Sequence, residues 1–295
     1  MPIFSRKFKW FLYKGIGFLA AIRGYNILLI ILAQYLAGIY IFSNQPDVWQ
    51  VLLNTKLLIL VLSTAIAIAG GYIINDFYDS EKDIINRPHR TKINQYISQK
   101  TRLVIYFVFN FLAVILASYN SFKAVLFISV YIFGLWFYSH KLKKFAFVGN
   151  ITATFLAFFP LFAVFIFFKN YELVIFAEAF FLGLIILIRE IIKDLENLAG
   201  DLSLGYKTLP IKYGEVYAKR IIYLLTITAL VIAALLCFKF SLGRLHYFFV
   251  ISVFLLIIFL FKLSKSKTKK DFIWLHNLLK SLIILGVFSI LLLQY

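Results

Sequence analysis

The acidic residues of this chain gather in two short segments. Eight of its 13 Asp and Glu residues lie in the stretches NDFYDSEKD (residues 75–83) and REIIKDLENLAGD (residues 189–201). Because residues spaced i, i+3 and i+7 share one face of a helix, each stretch is predicted to present a polar stripe. Glu81 and Glu196 fall outside these stripes and are predicted to be solvated. The stripe residues are Asp76, Asp79 and Asp83 in the first segment, and Asp194, Asn197 and Asp201 in the second.

Carboxylates that share a stripe repel one another, and loss of hydration beside a membrane makes the repulsion worse. Either ion pairs with Arg and Lys or bound metal ions can stabilise such a stripe. Hard oxygen donors without His or Cys are typical of Mg2+, which binds through a few carboxylates together with substrate phosphates. The segments therefore predict a Mg2+–diphosphate site, with a structural ion-pair cluster as the alternative. The predicted metal-binding residues are Asn75, Asp76, Asp79, Asp83, Asp194, Asn197 and Asp201.

Basic residues follow both acidic segments and are candidates for contacts with a diphosphate. Each of them taken alone is more typical of a charge that sets membrane topology. Arg23 and Asn26, spaced i and i+3 near the start of the first apolar segment, are further candidates, although an Arg at the end of a span often only reaches the lipid interface. The basic candidates beside the segments are Arg87, Arg90, Lys141, Lys143, Lys144 and Lys207.

The elements that must position these residues are membrane helices. The chain is 62% hydrophobic with a mean hydropathy of +0.90, whereas a soluble domain is usually about 45–50% apolar. Its apolar residues form blocks of about 20, the length of a membrane-spanning helix. We therefore predict one all-α, polytopic domain over residues 1–295. The predicted spans are 20–42, 51–75, 103–119, 122–139, 146–168, 172–193, 221–238, 246–263 and 273–293.

The distribution of basic residues predicts the orientation of the spans. With nine spans, 25 of the 31 Lys and Arg residues fall on the side that carries both acidic segments, which indicates the cytoplasmic side. The N-terminus and the acidic segments are thus predicted to be cytoplasmic in an integral multi-pass protein, at the plasma membrane if the source is prokaryotic. Because the positive charges lie in loops between apolar blocks, the net charge of +18 does not indicate nucleic-acid binding.

Taken together, the motifs resemble those of the UbiA superfamily of intramembrane prenyltransferases. The first family motif, N-D-x-x-D-x-x-x-D, corresponds to NDFYDSEKD, which is followed by NRPHR. The second, D-x-x-D-x-x-x-D, corresponds to DLENLAGD, which is followed by GYKTLP. IRGYN in the first span and YSHKLKK with a following GN are similar to further family features, so the resemblance covers nearly the whole chain.

The resemblance implies nine helices around a central cavity capped by the acidic segments. It also implies Mg2+-dependent binding of a prenyl diphosphate donor. Asn197 departs from the family pattern, which usually has Asp there, so a second metal ion would be held more weakly unless Asp194 compensates. The implied catalytic residues are Asp79, Asp83, Asp201 and Lys207. The implied substrate-binding residues are Arg23, Asn26, Arg87, Arg90, Tyr138, Ser139, Lys141, Lys144 and Lys207.

The acceptor is the least determined part of the expected reaction. The stretch from Arg189 to Pro210 is most similar to the branch that adds a second geranylgeranyl chain to geranylgeranylglyceryl phosphate in ether lipid synthesis. Branches that prenylate aromatic rings in menaquinone- or ubiquinone-type synthesis share the core motifs and are the alternative. A transporter is the non-enzyme alternative, because acids inside a membrane can carry ions. Glu178, within the sixth span, receives no role.

Overall fold

Helices make up the regular secondary structure of the computed structural model, which describes residues 15–43, 47–88, 91, 97–240 and 242–294. Among these residues the only pairing of β type is one isolated bridge, so the predicted all-α class is confirmed. The helices are α1 (Gly24–Ala37), α2 (Val48–Leu52), α3 (Thr55–Tyr78), α4 (Ser80–Asn86), α5 (Gln99–Ser118), α6 (Phe122–His140), α7 (Val148–Phe168), α8 (Leu173–Glu196), α9 (Leu198–Ser203), α10 (Leu209–Tyr213), α11 (Glu215–Lys239), α12 (His246–Lys265) and α13 (Lys269–Ser289).

Eight helical segments of the described chain are long and apolar enough to cross a membrane, and they coincide with eight of the predicted spans. The other predicted span, 172–193, forms α8, but this helix carries Glu178, Arg189 and Glu190 and is not among the eight. The polytopic helical class is therefore confirmed, while the number nine stays a prediction. Large apolar side chains such as Phe111 and Phe261, each 69% exposed, cover the outer faces of these helices, as expected where lipid is the solvent.

The structure forms two compact units, so the single domain predicted for residues 1–295 stays a prediction. The described residues of Met1–Ile31 and Leu58–Lys141 form the first unit. In it α3 packs against α5, where Ser63 Oγ donates a hydrogen bond to the Ala113 carbonyl (2.7 Å). Gly70 allows this close approach, because a Cβ atom there would lie 2.9 Å from the Asn110 side chain of α5.

The second unit comprises the described residues of Leu32–Leu57 and Leu142–Tyr295. Helix α8 lies at its centre and packs against α7, α11 and α13. Its side chains Ile188 and Ile192 are fully buried in a core shared with Leu256 and Phe259 of α12. This burial explains how α8 stays within the bundle although it carries more charge than the other long helices. The second acidic segment covers the last turns of this helix and the start of α9.

Candidate active site

Both acidic motifs contain the same interruption of the helix. Helix α3 ends at Tyr78 and α4 begins at Ser80, so Asp79 lies between them with φ −92° and ψ 2°. Helix α8 ends at Glu196 and α9 begins at Leu198, and Asn197 has φ −98° and ψ 9°. This conformation is sparsely populated in proteins and frequent at active sites. The polar stripe stays a prediction, and the structure adds a bend at the middle residue of each motif.

The helical path nevertheless continues through each bend. In the first motif, the Asp79 N–H donates to the Asn75 carbonyl (2.9 Å), and the Asp83 N–H donates to the Asp79 carbonyl (2.8 Å). In the second, the Asp201 N–H donates to the Asn197 carbonyl (3.1 Å). The motif side chains thus stay about one helical turn apart. Asn197 lies at the bend of the second motif, as Asp79 lies at the bend of the first. The second motif therefore has a neutral amide where the first has a carboxylate.

The carboxylates of the first motif have polar partners inside the first unit. Asp76 and Asp79 are buried, and Asp83 is half-buried. Asn75 Nδ2 donates to Asp79 Oδ2 (3.0 Å), and Lys82 Nζ lies 3.3 Å from Asp79 Oδ1. Exposed Glu81 agrees with the prediction that it is solvated. The amide of Asn75 and the carboxylate of Asp79 thus form one oxygen-rich pair at the bend.

Asp76 differs from the other residues of the first motif because a buried arginine holds it. Arg102 Nη1 donates to Asp76 Oδ2 at 2.6 Å, and both side chains are less than a tenth exposed. The sequence gives no sign of this pair, because Arg102 lies on α5, 26 residues further along the chain. The structural ion-pair alternative therefore holds for Asp76, and the Lys82–Asp79 contact is a second ion pair in this motif.

Arg23 and Asn26 contact a residue one turn before Asn75. The Arg23 guanidinium lies 4.9 Å from the centre of the Tyr72 ring, and Asn26 Nδ2 is 3.4 Å from Tyr72 Oη. Arg23 has a φ of 50°, a left-handed conformation that costs energy for a residue with a side chain. Its Nε is buried without a hydrogen-bond partner among the described residues. Such strain and an unsatisfied donor are typical of groups kept for a ligand.

In the second motif, the neutral amide of Asn150 holds Asp194. Asn150 Nδ2 donates to Asp194 Oδ2 at 2.7 Å. The predicted residues Asn197 and Asp201 are buried, and Asp194 is half-buried. The sequence signal for Asn150 was the GN pair after YSHKLKK. Gly149 is needed there because a Cβ atom would lie 3.1 Å from the Leu142 carbonyl and from Lys143 Cα.

The prediction that Glu196 is solvated is wrong. Its Oε2 lies 2.7 Å from His276 Nδ1, and both side chains are largely buried. Helix α13 brings His276 to the end of α8 from 80 residues away, a packing contact without a sequence signal. Glu190 is likewise paired, with Arg189 (3.2 Å) and Lys193 (2.8 Å).

Two of the predicted substrate-binding lysines lie on one short bridge. The Lys207 N–H donates to the Lys144 carbonyl (2.8 Å), and the Ala146 N–H donates to the Lys207 carbonyl (2.7 Å). The Lys144 ammonium lies 5.5 Å from the centre of the Tyr206 ring. Main-chain bonds therefore hold the Lys144 loop against the loop that follows the second motif.

The remaining predicted residues differ in their burial. Ser139 is buried and donates to the Leu135 carbonyl of its own helix (2.8 Å), whereas Tyr138 is half-buried. Lys141 is exposed, Lys143 is buried and Arg87 caps the end of α4. Arg90 lies outside the described residues.

Glu178, to which the sequence assigned no role, lines a separate cavity in the second unit. The cavity has a volume of about 460 Å3 and contains no motif residue. Arg244 and Glu172 are its other charged lining residues, and the rest of the lining is mainly apolar. Glu178 is thus associated with a different part of the molecule from the acidic motifs.

The donor set fits Mg2+ that is shared with a phosphate ligand. In the described part of the chain, no three His, Cys, Asp or Glu side chains come together as a complete metal cage. Mg2+ does not need one, because it retains waters and binds through one or two carboxylates plus substrate phosphates. Beside the second motif, Asn150 Oδ1 and Thr208 Oγ1 are buried without a hydrogen-bond partner among the described residues. These oxygens are further polar groups that a hydrated ligand would satisfy.

Comparison with known proteins identifies the fold. A solved structure of a digeranylgeranylglyceryl phosphate synthase in membranes superposes with a TM-score of 0.69 at 23% identity, covering 95% of this chain and 97% of the other. A UbiA homolog from Archaeoglobus fulgidus bound to GPP and Mg2+ superposes with a TM-score of 0.65 at 17% identity, covering 93% and 99%. At these identities, the likeness establishes a shared fold.

Sequence comparison identifies the family. The digeranylgeranylglyceryl phosphate synthase of Thermococcus sibiricus is 31% identical over 278 residues, which cover 93% of this chain and 96% of the relative. That of Thermococcus gammatolerans is 32% identical over 279 residues, with 93% and 97% covered. The model of the UbiA prenyltransferase family matches residues 27–279. Since both motifs fall inside this match, the chain belongs to the UbiA prenyltransferase family.

Proposed function

We propose that this prenyltransferase transfers a geranylgeranyl group from its diphosphate to geranylgeranylglyceryl phosphate, in a reaction that requires Mg2+. The observation that carries the proposal is the pair of bent acidic motifs, in a chain whose relatives over nine-tenths of its length are named digeranylgeranylglyceryl phosphate synthases. Membership of an enzyme family also removes the reason for considering a transporter.

Each acidic motif offers oxygen donors for Mg2+ that is shared with a diphosphate. A diphosphate of about −3 charge beside several carboxylates needs divalent cations and basic side chains for neutrality. Mg2+ would supply positive charge to the leaving diphosphate. The related protein from Archaeoglobus fulgidus was solved with GPP and Mg2+, which supports this donor chemistry. The residues proposed to hold Mg2+ are Asn75, Asp79, Asp83, Asp194, Asn197 and Asp201.

Basic residues of the chain are proposed to bind the leaving group. When the allylic C–O bond breaks, its electron pair stays on the diphosphate, and the growing charge favours nearby cations. Lys144 and Lys207 suit this task because main-chain bonds fix the loops that carry them. Arg23 suits it because its backbone strain and its unsatisfied Nε are explained by a bound anion. Arg87 and Arg90 follow the first motif and are proposed as further contacts.

The acceptor is proposed to react through a hydroxyl group. The hydroxyl oxygen of geranylgeranylglyceryl phosphate forms the new C–O bond to the allylic carbon and loses its proton to a motif carboxylate or to water. The names of the relatives favour this glycerolipid. An aromatic acceptor is therefore an outcome of the test and not a second proposal.

Purified protein in detergent with Mg2+ and radiolabelled geranylgeranyl diphosphate would test the function. Geranylgeranylglyceryl phosphate and an aromatic quinone precursor are offered in parallel reactions. We expect label in the glycerolipid, and chelation of Mg2+ by EDTA should stop the transfer. Label in the aromatic product alone would refute the proposed acceptor but retain the donor chemistry. No label in either product, with folded protein, would refute the proposed reaction.

A further inference from the structure

The first carboxylate of each motif is held by a side chain from another helix, but the two holding groups differ in charge. In the first unit, the guanidinium of Arg102 on α5 bonds Asp76 at 2.6 Å. In the second unit, the amide of Asn150 on α7 bonds Asp194 at 2.7 Å. Asp76 and Asp194 occupy equivalent positions, three residues before the bends at Asp79 and Asn197. The motifs therefore match in sequence and backbone but differ in how this carboxylate is neutralised.

Arg102 compensates the charge of Asp76 and connects two parts of the first unit. Besides its bond to Asp76, its Nε and Nη2 donate to the Ile97 carbonyl at 3.2 and 3.1 Å. Ile97 immediately precedes Ser98, which caps the start of α5. The planar guanidinium thus joins the end of α3 to the start of α5, a geometry that a lysine cannot reproduce. A carboxylate buried in such a pair has little charge left to attract a cation.

Asn150 orients Asp194 without neutralising it. The amide donates one hydrogen bond and brings no charge, so the Asp194 carboxylate can still attract a divalent cation. Asn150 is buried at the start of α7, where the tight contact of Gly149 with the Leu142–Lys144 turn fixes its position. Neighbouring groups that orient a metal-binding side chain in this way typically affect metal affinity by about 10–100-fold.

We propose that Arg102 and Asn150 are positioning residues that give the first carboxylates of the two motifs different tasks. Arg102 makes Asp76 an anchor of the first motif, whereas Asn150 orients Asp194 as a ligand for a divalent cation. This inference rests on the proposed Mg2+ dependence, but it concerns metal binding and not the identity of the acceptor.

Mn2+ binding to the purified full-length protein tests this division of tasks. The loss of the free Mn2+ signal in electron paramagnetic resonance measures affinity without any turnover. We expect D194N to weaken binding by about 10–100-fold and N150A by about tenfold, while D76N changes it less than about threefold. The matched control D271N breaks an ion pair with Lys262 (2.9 Å) outside both motifs and should leave the affinity unchanged.

Thermal unfolding without metal separates the anchoring role from loss of fold. R102Q should lower the unfolding temperature, and the D76N/R102Q double variant should recover part of the loss, because no buried charge is left unpaired. Equal losses of Mn2+ affinity in D76N and D194N would overturn the proposal, and so would unchanged affinity in D194N. If N150A does not fold, the Mn2+ affinities of D76N and D194N still test the proposal. If the variants show the expected Mn2+ affinities but the protein transfers no prenyl group, only the proposed function is refuted.

Discussion

Replacing Gly149 by Ala should disturb the loop that carries Lys144. Gly149 lies in the first turn of α7, directly against the Leu142–Lys144 turn. A Cβ atom at this position would lie 3.1 Å from the Leu142 carbonyl oxygen, 3.1 Å from Lys143 Cα and 3.2 Å from the Lys143 carbonyl oxygen. All three atoms belong to the backbone and cannot rotate away.

These distances set the size of the expected effect. Non-bonded heavy atoms have their best contact at about 3.5–4.0 Å, so the turn must shift by several tenths of an ångström. Overpacking of this kind costs about 1–3 kcal/mol, and the better helix propensity of Ala offsets about 1 kcal/mol. Because main-chain bonds join Lys144 and Ala146 to Lys207, the shift also moves that residue. Since a misplacement of about 1 Å can cost about 100-fold, we expect turnover to fall by about tenfold.

The measurement is prenyl transfer by purified G149A, accompanied by its thermal unfolding curve. Gly183→Ala is the matched control, because its Cβ atom would lie 3.3 Å from the Phe158 ring, a side chain that can adjust. We expect a smaller change in both quantities for G183A. Full activity in G149A, with an unchanged unfolding temperature, would refute the inference that the turn must lie tightly against α7.

Four further substitutions test a motif carboxylate, the strained Arg23, the contact of Glu196 and the membrane orientation. Asp79→Ala should reduce turnover by at least about 100-fold while the protein still fractionates with the membrane, and retained activity would remove Asp79 from the site. Arg23→Gly should relieve the left-handed backbone yet weaken donor binding, seen as a raised KM for geranylgeranyl diphosphate; an unchanged KM would assign the strain to folding alone. His276→Ala should destabilise the protein by about 1–3 kcal/mol in thermal unfolding, because it removes the contact between His276 and the largely buried Glu196, and adding Glu196→Gln should restore part of this loss. Lys100→Cys in a Cys237→Ser background should react with an impermeant maleimide only from the cytoplasmic side, and labelling from the opposite side would reverse the predicted orientation.

The sequence by itself determined the helical membrane class, most of the spans, the two acidic motifs and the family resemblance. These features are local: span length, apolar content and carboxylate spacing can all be read over a few tens of residues. The GN pair is also local and is similar to a family feature, but the sequence assigned no role to Asn150. Local patterns could not decide whether α8 counts as a span, because its apolar length and its charges indicate different outcomes.

The tertiary structure alone decided which groups hold the motif carboxylates. Arg102, Asn150 and His276 lie 26, 44 and 80 residues from the acids they bond, and their helices carry no pattern that predicts these contacts. Residue spacing could not predict the bends at Asp79 and Asn197 either, because a spacing of i, i+3 and i+7 is compatible with both a straight and a bent helix. A charge or an amide reaches a carboxylate only through helix packing, and packing depends on contacts between residues far apart in the chain.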